Sequence, residues 1–181
     1  MRSPGCDNMN KQEIMKALKA LGEELLKREI QGEVLVVGGA AMCLAHGARD
    51  ATKDVDALYE PKAEMAQSIQ AVAEMYGLEK DWLNDGVKGF MLTNPERVPY
   101  AVLPGLRVTT VQPEYLLAMK LYSSRTALYE NDRRDIKTLI GLLDIKSTEQ
   151  ALDLLEKYFP REMILPKTQY LLEEIIEGLS E

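Results

Sequence analysis

With 181 residues and 46% hydrophobic side chains, the chain has room for one domain, or one domain with a helical appendage, around a real core. A formal net charge of −7 and a single histidine argue against an extended nucleic-acid-binding face, a zinc finger and a histidine-rich metal centre. A local site whose positive charge comes from a bound cation stays open. Two cysteines, Cys6 and Cys43, are too few for a disulfide framework, and no apolar run approaches the ~20 residues of a membrane span, so a soluble, cytoplasmic protein is expected.

In chain order, Asn10 followed by Glu13 has the spacing of a capping box, and Ile14, Leu18, Leu21 and Leu25 recur at helical spacing behind it. This predicts an amphipathic helix ending before Gly32. The run EVLVV predicts a strand closed by Gly38 and Gly39, and AAMCLAHG a short helix stopped by Gly47. Lys53 to Tyr59 alternates, which predicts a second strand with Val55 on one face and Asp54 and Asp56 on the other. Pro61 opens a helix with Met65, Ile69, Val72 and Met75 on one side. Residues 80–112 are less regular: KGFML is a candidate short strand, NPERVP a turn, and LRVTTV the most convincing later strand. From Pro113 onward the pattern is helical: PEYLLAMKLYSSRTALYE, then NDRRDIKTLIGLLD, then helices near 148–158 and 167–178. The expected organisation is an α+β chain, with sheet and helices over residues 1–111 and a helical cap over 112–181. Residues 149–181 hold eight acidic and three basic side chains, a poor composition for gripping RNA.

Two carboxylates on one face of a strand lie about 6.6 Å apart at the backbone. Like charges so placed repel, and Asp54 and Asp56 make most sense with something positive between them. Magnesium prefers oxygen ligands and is commonly held by one or two carboxylates plus substrate phosphates. Gly38 and Gly39, just before a helix, would let phosphates approach the backbone amides. The plainer readings are an Asp-x-Asp facing solvent from an edge strand and a Gly-Gly that merely turns the chain.

The stretch VVGG, AAMCLAHGAR, DVDA resembles the signature of the nucleotidyltransferase superfamily that includes DNA polymerase beta-like and minimal nucleotidyltransferases. It is most similar to the abortive-infection-type toxin nucleotidyltransferases and their relatives, in which an Arg-x-Thr-like element precedes the aspartates and a later helical part carries Lys, Arg and Asp-x-x-Asp-Ile. Here Arg49, Thr52 and Lys53 run into Asp54, and Lys120, Arg125, Asp132, Asp135 and Ile136 follow in KLYSSRTALYENDRRDI. The likeness covers roughly residues 33–145.

The resemblance implies a nucleotidyltransferase-like mixed sheet with flanking helices and a C-terminal helical cap. The implied activity is Mg2+-dependent transfer, with Mn2+ able to replace it, of a nucleoside monophosphate from a nucleoside triphosphate to a hydroxyl acceptor. That acceptor is a tRNA end, a protein or a small molecule, and an antitoxin-like protein partner is implied by the toxin relatives. Asp54 and Asp56 match the metal-binding aspartates. Gly38, Gly39, Arg49, Thr52, Lys53 and Arg125 match nucleotide-binding positions, Lys120 the lysine on the phosphates, and Asp135 the later acid near the acceptor or the metals. In one respect the chain departs from the pattern: LRVTTV and KGFML lack the third carboxylate that many members carry on a later strand. The alternative is therefore a catalytically inactive nucleotide-binding or protein-interaction relative.

Lys120 stands out on its own, because it interrupts the apolar run YLLAMKLYSS and a lysine is seldom buried without a partner. A carboxylate, a bound phosphate or a snorkelling stem would each account for it. Asp132 and Asp135 both suit the first turn of the following helix, and only the resemblance favours Asp135. His46 reads first as a satisfied core histidine, Trp82 as packing, and Tyr115, Tyr122 and Tyr129 as a packing stripe.

Overall fold

The computed structural model describes residues 8–124 and 129–180. Helix α1, Lys11–Lys27, starts at the expected box: Asn10 Oδ1 accepts from the Glu13 amide at 3.0 Å, and Glu13 Oε2 accepts from the Asn10 amide at 3.1 Å. These reciprocal bonds satisfy amides that a helix start leaves open. Its apolar stripe of Ile14, Leu18, Leu21 and Leu25 is fully buried.

The strands are β1 (Met9–Asn10), β2 (Gly32–Val36), β3 (Ala51–Thr52), β4 (Val55–Glu60), β5 (Leu83–Asn84), β6 (Arg97–Leu103) and β7 (Leu106–Val111). The short β1 and β3 pair antiparallel, and the others form a five-stranded sheet in the order β5-β4-β2-β7-β6. Within it β2 runs antiparallel to β4 and parallel to β7, β4 runs parallel to β5, and β6 runs antiparallel to β7. The sheet is thus mixed. Helices α2 (Gly38–Leu44) and α3 (Lys62–Tyr76) complete this part.

Two compact units form: one from the chain up to Lys88 together with Arg97–Val111, the other from Gly89–Glu96 together with the chain from Gln112. The second unit holds α4 (Pro113–Ser123), α5 (Glu130–Leu142), α6 (Thr148–Glu156) and α7 (Pro166–Ser180). Residues 89–96 join it through side chains: the Tyr115 hydroxyl donates to the Thr93 carbonyl at 3.2 Å and the Gln112 amide to Glu96 at 2.8 Å. Tyr122 stacks on Phe159 with ring centres 4.1 Å apart. Tyr129, by contrast, is 70% exposed and forms the N-cap of α5, so the expected tyrosine stripe ends at Tyr122.

The irregular region differs from expectation in three places. KGFML is no strand; Gly86–Phe90 is a 3-10 turn. A two-residue strand, β5, lies instead just behind Trp82. β6 begins inside the run expected to turn, with Pro99 in its middle and a register irregularity between Pro99 and Ala101. Proline has no ladder donor and sits in a sheet only at an edge or a bulge; β6 is one of the two edge strands. Met75, expected in the buried face of α3, is 56% exposed.

In the first unit α1 packs along α3 and on β7. The closest approach is at Gly22, where an added Cβ would lie 2.2 Å from the Pro104 carbonyl oxygen and 3.2 Å from Leu106 Cβ. The turn answers with Gly105 at φ +72°, whose own Cβ would meet the Gly22 carbonyl oxygen at 2.2 Å. Both obstacles are backbone, so neither can rotate away. Gly22→Ala is expected to lower the stability read from urea denaturation by about 1–3 kcal/mol, the usual cost of overpacking.

Candidate metal and nucleotide site

The aspartates fall where a short strand meets a bend. Asp54 precedes β4 rather than lying within it, while Asp56 is its second residue. The alternation holds through the junction: Val55 and Ala57 are buried, Asp54 and Asp56 half-buried. Asp56 is held by its strand, whose carbonyl accepts from the Val37 amide at 2.9 Å. It also lies against Gly38, the first residue of α2. There φ is +60°, and a Cβ would come within 2.8 Å of Asp56 Oδ2. The two glycines are therefore the opening residues of the helix, where the sequence placed a turn before it.

Gly39 makes room for a second pair of candidates. A Cβ at Gly39 would stand 2.5 Å from Arg49 Nη1 and 2.7 Å from Thr52 Oγ1. Thr52 is buried and Lys53 exposed. The far end of α2 is closed by the Leu44 carbonyl, which accepts from Lys11 Nζ at 2.8 Å and the Tyr100 hydroxyl at 3.2 Å. Gly38, Gly39, Arg49, Thr52 and Asp56 thus come together at the start of α2, with Asp54 two residues before Asp56.

One residue of this constellation was not singled out in the sequence. Asn84 Nδ2 donates to Asp54 Oδ2 at 3.1 Å, and β5 sets Asn84 opposite Asp56 in the parallel ladder. Trp82 anchors that strand: it is 1% exposed, its indole N–H donates to the Ile69 carbonyl at 3.1 Å, and its own carbonyl accepts from the Val55 amide at 2.7 Å. Two half-buried carboxylates beside a side-chain-free backbone are hard oxygen donors of the kind Mg2+ or Mn2+ takes. Among the described residues no group of three or more His, Cys, Asp and Glu side chains is placed to hold a metal. On β7, Thr109, paired with Leu35 of β2, gives its hydroxyl to the Val34 carbonyl at 3.2 Å.

Lys120 and Asp135 belong to the second unit. Lys120 Nζ lies 2.7 Å from Asp132 Oδ1 and 2.7 Å from Asp135 Oδ2. The lysine side chain is 8% exposed, Asp135 1% and Asp132 27%. Both acids engage the lysine, and Asp135 sits beyond the first turn of α5, which contains Asp132. Arg125 lies outside the described residues.

A strand, a glycine pair opening a helix and an acidic pair where the neighbouring strand begins are the features of a nucleotidyltransferase-type chain. Residues 13–163 match the family model described as "Nucleotidyltransferase of unknown function (DUF6036)", and the chain belongs to that family. Among solved structures it is similar to an antigenic nucleotidyltransferase-like protein from Paracoccidioides brasiliensis, at 18% identity and a TM-score of 0.46, with 92% of this chain and 94% of that one covered. None of the curated proteins matches it. No helix among the described residues is long and apolar enough to cross a membrane.

Removing the Lys120 ammonium would take an ion-pair partner from a nearly inaccessible carboxylate at Asp135, and breaking a buried pair from one side typically costs about 3–5 kcal/mol. Lys120→Met is expected to lose stability in that range by urea denaturation. His46 yields a second expectation. Its ring is half-buried, and Nε2 is buried with no hydrogen-bond partner among the described residues, contrary to the satisfied histidine expected. Burial holds its pKa below the ordinary 6.5. The unfolded chain therefore takes up the proton first. The His46 contribution is intact above pH 6.5 and is lost as pH falls through the lower folded value. His46→Phe is expected to flatten the decline in urea midpoint between about pH 7.5 and pH 5.5.

Proposed function

We propose that the chain is a Mg2+-dependent nucleotidyltransferase that moves a nucleoside monophosphate from a nucleoside triphosphate to a hydroxyl acceptor. Asp54 and Asp56 would hold the divalent cations, with Mn2+ able to replace Mg2+. The observation that carries this reading is the close approach of Asp56 to Gly38, which keeps a carboxylate and an open backbone at one place. Arg49 and Thr52 at Gly39 would face the triphosphate, the arginine offering a fork of donors to its oxygens, and exposed Lys53 would add charge nearby. When bound, the metal lowers the pKa of the attacking hydroxyl and offsets charge on the departing pyrophosphate.

In the transfer the acceptor oxygen bonds to the α-phosphorus as the bond to the bridging oxygen breaks. Pyrophosphate leaves with that electron pair, and the hydroxyl proton passes to solvent. No covalent intermediate with a side chain is needed. The acceptor is a tRNA end, a protein or a small molecule, and the resemblance to toxin relatives adds an antitoxin-like protein as a candidate partner. Lys120 and Asp135 take part in a different way: an ammonium already shared by two carboxylates joins α4 to α5, and a phosphate would have to compete with both acids for it. The second reading, a nucleotide-binding relative without transfer, draws on the absence of an acid from β7.

The two separate in one assay. The protein is incubated with each α-labelled nucleoside triphosphate, Mg2+ and total cellular RNA or protein, and the label is followed on gels. Transfer is expected, abolished by EDTA and restored by Mn2+. Asp54→Asn and Asp56→Asn are each expected to lower it by about 100-fold or more, since even outer-sphere partners of metal sites are worth about 10–100-fold. Mg2+-dependent nucleotide binding with no label on any acceptor would favour the second reading.

A further inference from the structure

We infer that Asn84 is a positioning residue for the acidic pair, fixing the direction of the Asp54 carboxylate that the strand itself leaves unset. The inference rests on the reading of Asp54 and Asp56 as cation ligands. Asp56 needs no such help, because its place in β4 and the contact at Gly38 determine it. Asp54 lies in the bend ahead of the ladder, where no pairing pattern aims the side chain. The bond from Asn84 Nδ2 at 3.1 Å supplies the direction.

Which end of the Asn84 amide faces Asp54 follows from its other partner. Asn84 Oδ1 accepts from the Gly86 backbone amide at 3.0 Å. An N–H can be met only by the carbonyl end, which turns the NH2 toward the carboxylate. The same NH2 reaches the Asp81 carbonyl at 3.4 Å. The segment that carries it is pinned on both sides: Trp82 is tied to α3 through the Ile69 carbonyl, and Asp85 pairs with Lys62 at the start of α3. Lys62 also lies over the Tyr59 ring at 4.2 Å from its centre. The lysine holds the Asp85 carboxyl below its ordinary pKa. Asn84 is therefore a rigid arm from α3 to the acid, and it leaves Asp54 Oδ1 for a cation. Outer partners of this kind set ligand orientation in metal sites.

The test is Mn2+ binding to the full chain, read from the electron paramagnetic resonance of free Mn2+, with and without a non-hydrolysable nucleoside triphosphate. Asn84→Ala is expected to bind Mn2+ about 10-fold more weakly than the unaltered chain. Asn84→Asp keeps an acceptor for the Gly86 amide but turns a like charge on Asp54. It is expected to melt below Asn84→Ala without metal and to gain more melting temperature from saturating Mn2+ than the unaltered chain does. Asp56→Asn serves as the control on the site itself. If Asp56→Asn loses Mn2+ while Asn84→Ala binds within twofold of the unaltered chain, the role of Asn84 is overturned and the metal site stands. If Asp56→Asn binds Mn2+ unchanged, or the unaltered chain binds none, the metal reading fails and takes this inference with it. Should Asn84→Ala not fold, Asn84→Ser decides in the same assay: Mn2+ binding within twofold of the unaltered chain overturns the role.

Discussion

The contact between Gly38 and the Asp56 carboxylate sets the geometry of the first unit. Residue 38 is left-handed, and any side chain there would drive into Asp56 Oδ2, so the position beside the acid takes glycine on both counts. One residue earlier, the Val37 amide is bonded to the Asp56 carbonyl, which aligns the ends of β2 and β4 at the same level. A helix that starts directly from that level brings Gly39 under Arg49 and Thr52. Shift the register of β2 against β4 by one residue and the acids exchange faces with Val55 and Ala57. The glycine pair thus acts through what its missing side chains admit on two sides. One side is an acid, the other a base and a hydroxyl.

The second unit handles charge differently. Lys120 and Asp135 are almost inaccessible, and taking two ions out of water costs several kcal/mol each before their attraction is counted. Asp132, partly in contact with solvent, adds a second acceptor to the ammonium and lowers the demand on Asp135. An apolar residue at 120 would pack with less desolvation but would give α5 no reason to present Asp135 to α4. The triad joins one face of α5 to α4 through Asp132 and Asp135.

How much of this could be read from the residues alone depended on the range of the interaction. The capping box at Asn10 and the stripe of α1 are local, and local periodicity is enough for them. The alternation from Asp54 to Ala57 is equally local, although DVDA could not say that the ladder begins only at Val55. The oddity of Lys120 was visible, since a lysine in an apolar run needs a partner. The residues alone did not separate Asp132 from Asp135 as partners of that lysine, and the ammonium reaches both. Asn84 was invisible for a physical reason: its importance comes from a two-residue parallel pairing with β4, and so short a strand has no period to detect. β6 was hidden by Pro99, whose presence normally argues against a strand and is tolerated only because this strand has a neighbour on one side. His46 looked like an ordinary core histidine, and nothing in AAMCLAHG shows that one ring nitrogen ends without a partner among the described residues.

That same Pro99 has a wider bearing. A sheet border with a free row of amides and carbonyls invites another chain to extend it, and Val102, 83% exposed on β6, would reward such an addition. Proline at position 99 carries no N–H, and the register irregularity between Pro99 and Ala101 breaks the even spacing that a straight incoming segment would need. A strand added along this border would have to accommodate both the ring at position 99 and the break in register beside it.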